Sequence, residues 1–110
     1  MQYILVYVTV GDQAEAGRIA AAVVGEKLAA CANIIAPMRS LYWWEEKLEE
    51  AEEVVLLLKS ELGLFETLRD RVCALHSYDV PCIVALPILA GSPDYLNWLG
   101  GNMVTAGGKD

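Results

Sequence analysis

Basic residues are scarce in this chain. Eight Lys and Arg stand against fifteen Asp and Glu, for a net charge of −7. Nucleic acid and anionic membranes are gripped by clustered cationic side chains, so neither is an expected partner. A negative field instead attracts cations and favours solubility. Cysteine is sparse as well. Cys31, Cys73 and Cys82 form an odd set with no CxxC spacing, which excludes a disulfide framework and a zinc ribbon. No apolar run approaches the roughly 18 residues of a membrane span. Met1-Gln2 leads straight into a strand-like run, without the charged region and cleavage site of a leader. The expected compartment is a reducing cytoplasm. No glycine-rich phosphate loop follows a strand-like run, and the glutamates lack calcium-loop spacing. A Cys–His nucleophilic pair would lack an orienting third residue and an oxyanion motif. The expectation is a protein without catalysis.

Apolar residues, by contrast, are plentiful: 55% of the 110 residues are hydrophobic, and mean hydropathy is +0.36. That length suits one domain, which buries roughly two-thirds of its unfolded surface. Large exposed apolar patches are rare on monomers, so self-association is the expected outlet. The segment Ser40-Leu41-Tyr42-Trp43-Trp44-Glu45-Glu46-Lys47 sharpens the point. Successive strand side chains face opposite ways. Adjacent Tyr42, Trp43 and Trp44 therefore cannot all enter one core, and one face must meet a ligand or another subunit.

Residues 3–10 are β-branched and aromatic almost throughout and read as a strand buried on both faces. Asp12 is a good helix N-cap, with Glu15 as a loose capping-box partner. Ala16, Ile19, Ala20, Val23, Val24 and Leu28 then recur at helical spacing. Gly17 and Gly25 weaken that helix or allow close packing on a sheet. Residues 30–44 read as extended, with a bend at Pro37, and the glutamate-rich 45–53 as a hairpin turn and its flanks. Val54 to Lys59 reads as a strand, although Trp44, Leu48, Ala51, Val55, Leu58, Leu62 and Phe65 also fit a heptad helix. Phe65, Leu68, Val72 and Leu75 mark a second helix, with Glu61 early and Arg69 and Arg71 late, as a helix dipole prefers. Residues 76–81 form a loop, 82–89 a strand at an edge or bulge because of Pro87, and Ser92-Pro93 opens a short helix. The order βαββαβ with a short C-terminal helix predicts an α+β, ferredoxin-like sandwich. It occupies residues 1–101, and residues 102–110 are expected to be a disordered tail.

The order of several short motifs resembles the CutA family of divalent-cation tolerance proteins. They are Glu26-Lys27-Leu28-Ala29-Ala30-Cys31-Ala32-Asn33-Ile34-Ile35, then Ser40, Tyr42 and Trp44, then Glu53 and Lys59. His76-Ser77-Tyr78, Pro81-Cys82 and Tyr95-Leu96-Asn97-Trp98 complete the set. The resemblance spans residues 4–99 and favours strands over the heptad helix. Three positions depart from the family pattern: Glu46 replaces a turn glycine, Ser77 a proline and Cys82 a glutamate. The resemblance implies a homotrimer whose long second and third strands pair with neighbouring subunits. The fold it implies is similar to that of the PII signalling proteins, an analogy that carries no function by itself.

Cys31, His76 and Cys82 are the candidate ligands for a soft metal, copper above all; copper or another divalent cation is the expected ligand. Each has a plainer role: a buried small hydrophobe for Cys31, a hydrogen-bonded loop residue for His76, strand packing for Cys82. Tyr42, Trp44, Glu53, Lys59, Tyr78 and Trp98 are the candidates for an intersubunit cleft, against plain interface packing. The leading expectation is a homotrimeric, copper-binding tolerance protein. The alternatives are a PII-like sensor with a small ligand in the cleft, and a trimeric scaffold for another protein.

Overall fold

Alternation along the first strand sets the architecture. In the computed structural model, which describes residues 1–105, β1 (Tyr3–Val10) buries Ile4, Val6, Val8 and Val10 and leaves Tyr3, Leu5, Tyr7 and Thr9 partly covered. This corrects the reading of a strand sealed on both faces. Its apolar run serves two surfaces, and only one of them is closed within the chain. The full sheet runs β2-β3-β1-β4, every neighbouring pair antiparallel. This is the ferredoxin-like order, formed by β2 (Cys31–Trp44), β3 (Lys47–Glu61) and β4 (Ile83–Pro87) around β1. Helices α1 (Gln13–Gly25) and α2 (Phe65–Leu75) close one face, packing Ile19, Val23, Leu68 and Val72 on Val6, Val8, Leu56 and Leu58. Ser60 joins that layer by donating its hydroxyl to the Leu28 carbonyl at 2.7 Å. Helix α3 (Pro93–Gly101) sits on the other face at one end, where Gly100 closely approaches the Tyr3 hydroxyl.

The ends of α1 follow local chemistry. Asp12 accepts the Glu15 N–H at 2.8 Å, as an N-cap should. Glu15 does not complete a capping box; its carboxylate turns inward, as described below. At the other end the Leu28 N–H donates to the Val23 carbonyl at 2.9 Å and the Lys27 N–H to Val24 at 3.0 Å. That pair of bonds is a Schellman motif. Its left-handed position is filled by Lys27, at φ 59°, where glycine is the usual occupant. A Cβ placed on Gly17 would meet nothing within 4 Å, so close packing on the sheet is not its purpose.

The acidic segment is strand rather than turn. Trp44 pairs with Lys47, which leaves a two-residue connection, Glu45-Glu46, at φ 48° and 66°. Positive φ at both positions is the type I′ pattern that suits the twist of a hairpin. The heptad alternative fails because residues 54–61 pair along β1 and residues 55–59 also along β2, which makes this segment a central strand. The β2–β3 ladder shifts register between Ile35 and Met38, around Pro37. Beyond Val54 the hairpin outruns β1, so Lys47 to Glu53 pair only with β2. Neither Arg69 nor Arg71 lies in the last turn of α2. Arg71 instead makes a bidentate pair with Glu26 at the end of α1. The expected tail begins with placed residues: Val104 donates its N–H to the Lys27 carbonyl at 2.9 Å and packs on the core. Residues 106–110 of that expectation lie outside the described residues.

Candidate functional site

The overhanging hairpin and the loop before β4 together line an open cavity of about 800 Å³. Beyond the register shift Met38 pairs with Glu53, which puts Met38, Ser40, Tyr42 and Trp44 on the same face as Glu53. Loop residues Tyr78, Asp79 and Cys82 close the cavity, and Tyr7 and Thr9 of β1 contribute its floor. Glu53 is only 8% exposed. The Tyr78 hydroxyl donates to its Oε2 at 2.7 Å. Burial, together with that bonded carboxylate, pushes the Tyr78 phenol well above the usual tyrosine range.

Behind the loop lies a buried polar cluster. The His76 side chain is fully buried. Its Nε2 lies 2.8 Å from the Thr9 carbonyl, and its Nδ1 is 3.1 Å from the Tyr78 N–H. A carbonyl can only accept and a backbone N–H can only donate. The ring is therefore the neutral tautomer protonated on Nε2, with both nitrogens engaged. Glu15 stands 3.5 Å from Nδ1. Its two oxygens take the Ser77 N–H at 2.7 Å and the Ser77 hydroxyl at 2.9 Å. A proline at this position would offer neither donor, so Ser77 is matched to a buried carboxylate.

Lys59, Trp98 and Cys31 gather elsewhere, around Tyr95 of α3. Lys59 Nζ donates to the Tyr95 hydroxyl at 3.0 Å, and this bond holds the ammonium above the usual lysine range. Cys31 Sγ is 3.8 Å from the same hydroxyl, and the Tyr95 and Trp98 rings are 5.7 Å apart. Glu53 and Lys59 are six residues apart on β3, about 20 Å at strand rise. Within one subunit the six cleft candidates thus form two groups: Tyr42, Trp44, Glu53 and Tyr78 in the cavity, Lys59 and Trp98 beside α3.

The three metal candidates do not converge either. Cys31 pairs with Lys59, whereas His76 bonds Thr9, whose rung is Val55. That offset is four residues, about 13 Å. Cys82 is exposed at the cavity wall. Among the described residues no group of three or more His, Cys, Asp or Glu could hold a metal ion. A copper centre within one subunit does not fit this arrangement, since His76 has no free nitrogen lone pair. Sequence reasoning missed Glu15, which it saw only as a cap, and Tyr95, whose role depends on where α3 docks. Glu15 sits at a core-facing helical position beside Ala16 and Ile19, and a carboxylate there was the available signal.

Comparison with known proteins bears on the same residues. The family model described as CutA1 divalent ion tolerance protein matches residues 4–102. The chloroplastic protein CutA 1 of Oryza sativa subsp. japonica is 45% identical over 96 residues, covering 87% of this chain. The chain spans about half (54%) of that relative's length. The crystal structure of CutA1 from Oryza sativa superposes with a TM-score of 0.93 at 41% identity, covering 96% of each chain. The structure of the periplasmic divalent cation tolerance protein CutA from Archaeoglobus fulgidus gives 0.88 at 41% identity, covering 91% of this chain and 97% of that one. A chloroplastic and a periplasmic relative overturn the cytoplasmic expectation. Unpaired cysteines report on disulfides and say nothing about cellular address. No described helix is long and apolar enough to cross a membrane. Fold, motif order and identity over most of the chain agree, and the chain belongs to the CutA1 family of divalent ion tolerance proteins.

Proposed function

We propose that this protein acts in divalent-cation tolerance as a homotrimer that binds copper or another divalent cation without catalysing a reaction. The observation that carries the trimer is the uncovered face of the sheet. Ile35, Val84 and Leu86 are each about half exposed there, and Trp43 on the overhanging hairpin is 73% exposed. A second copy is the natural cover for such a surface. A metal site built on Cys31 has to draw further ligands from a neighbouring subunit, because the described residues of one chain supply no closed set. His76 is the poorer ligand, being committed through both ring nitrogens.

Copper(I) titration of the intact oligomer tests this, using the wild type, Cys31→Ser, His76→Ala and Cys82→Glu. Specific uptake should fall with Cys31→Ser. Equal uptake by all four proteins overturns the metal reading, and monomers at micromolar concentration by light scattering overturn the trimer. A second reading, a sensor that holds a small ligand in the cavity, is favoured by the buried Glu53 carboxylate bonded to Tyr78 beside Tyr42 and Trp44.

A further inference from the structure

The chain has one histidine, and the fold places its ring inside a polar cluster. The His76 side chain has no exposed area and that of Glu15 only 7%. Both are sealed within their own subunit, so a second copy on the open face of the sheet cannot reach the ring. As the neutral tautomer, His76 gives its Nε2–H to the Thr9 carbonyl and takes the Tyr78 N–H on Nδ1. Glu15 Oε2 lies 3.5 Å from that same Nδ1. Among the described residues no Lys or Arg pairs with Glu15; its donors are the N–H and hydroxyl of Ser77.

Nδ1 therefore has two partners within reach, and one proton decides between them. On the neutral ring it accepts from Tyr78. On the imidazolium it is a donor, it opposes a second donor in the Tyr78 N–H, and its acceptor is Glu15. The Oε2 that already takes the Ser77 N–H has a further lone pair to offer. The other neighbours carry no competing charge: β1 presents the Thr9 carbonyl to the ring, and α2 the Cys73 carbonyl to the His76 N–H. Asp12 turns to the α1 cap and Asp79 to the cavity. The Tyr78 ring lies 4.7 Å from the imidazole, and its hydroxyl donates to Glu53 of β3. The group displaced by the proton thus belongs to the residue that ties the loop to the hairpin.

We propose that His76 and Glu15 form a proton-operated switch on residues 76–79. A second proton on the ring exchanges the Tyr78 N–H for Glu15, releases Tyr78 from its place and loosens the hairpin contact between subunits. Imidazole is the side chain that ordinarily changes charge between about pH 5 and 8, and protonation of buried histidine is a known way to bias an interface. The inference rests on the assembly reading and adds its regulation.

Proton–nitrogen correlation NMR of the intact oligomer reads the ring directly, since one histidine gives one set of ring signals. At about pH 8 the expected state is the Nε2–H tautomer; by about pH 5 both ring nitrogens carry protons. The Tyr78 amide signal should move with them, and light scattering should find dissociation at about tenfold higher protein concentration or more. Glu15→Gln, which removes the counter-charge, should carry the ring transition lower by about one pH unit or more. His76→Gln should associate equally at both pH values. Melting curves at about pH 8 establish that each variant is folded. A ring that stays neutral at about pH 5, or one that is protonated with the Tyr78 amide unmoved, overturns the switch. So does a transition unchanged in folded Glu15→Gln. Acid dissociation that persists in folded His76→Gln, or wild-type assembly equally tight at both pH values, overturns the link to association. Monomers already at about pH 8 overturn the assembly reading itself, whereas the ring and amide signals still decide the switch.

Discussion

Single residues in this chain stand where their chemistry is least comfortable, and two of them are lysine and glutamate doing the work of glycine. Lys27 and Glu46 both hold positive φ, a region where a Cβ costs roughly 1–2 kcal/mol. Lys27→Gly and Glu46→Gly should each raise stability by about 1 kcal/mol, less the extra entropy glycine has when unfolded. Denaturant titration at fixed protein concentration would register this as a higher midpoint; a fall at both sites would mean that side-chain contacts outweigh backbone strain. Tyr78 makes a pH prediction. Its phenol is held protonated in the fold by burial and by Glu53, so its contribution is intact below the ordinary tyrosine value of about 10 and lost as pH rises beyond it. Wild type should lose stability in alkali above about pH 10, and Tyr78→Phe should lose less over the same range. Parallel alkaline profiles would assign the decline to other groups. The sequence made Tyr78 visible as a motif residue; Glu15 carried only the weaker signal of a carboxylate at a core-facing helical position beside Ala16 and Ile19, and its partner Ser77 lies 62 residues away.

Among elements, the β2–β3 hairpin is the one that its own subunit leaves unfinished. In its core-proximal half β3 lies centrally between β1 and the edge strand β2, and its distal half is a two-stranded ribbon in which Lys47 to Glu53 have no third strand. Such ribbons are marginal in water on their own. The exposed Trp43, Trp44 and Leu48 on this ribbon should therefore be covered by a neighbouring copy. Trp98 instead sits on α3, stacked near Tyr95. Trp44→Ala should consequently weaken assembly more than Trp98→Ala, read as subunit dissociation on dilution. Comparable dissociation of both variants would remove the ribbon from the interface. The helices were largely legible from their apolar spacing. The hairpin's length was not, because six glutamates look like a solvated turn until the partner strand is known.

At the scale of the whole molecule, one face of the sheet is closed by α1 and α2 and the other only partly by α3. An apolar face left for a second copy links folding to association. Thermal unfolding should then depend on concentration, with the midpoint rising as protein is added. A midpoint unchanged over a hundredfold dilution would argue for a self-sufficient subunit. The acidic balance works in the same direction as the proposed ligands, since it draws cations toward the assembly and repels anions.

Sequence alone determined the order of elements, the helical core positions and the family, because these rest on periodicity, capping chemistry and motif order along the chain. It could not say which candidates meet. Lys59 and Glu53 look like neighbours in one motif string, yet strand rise puts them about 20 Å apart. His76 looks like a metal ligand, yet the fold occupies both of its nitrogens with Thr9 and Tyr78. The cavity around Glu53 exists only because the register shift near Pro37 and the return of residues 77–82 bring two distant segments against one strand. Those are long-range placements, set by sheet pairing and burial, and no local pattern encodes them.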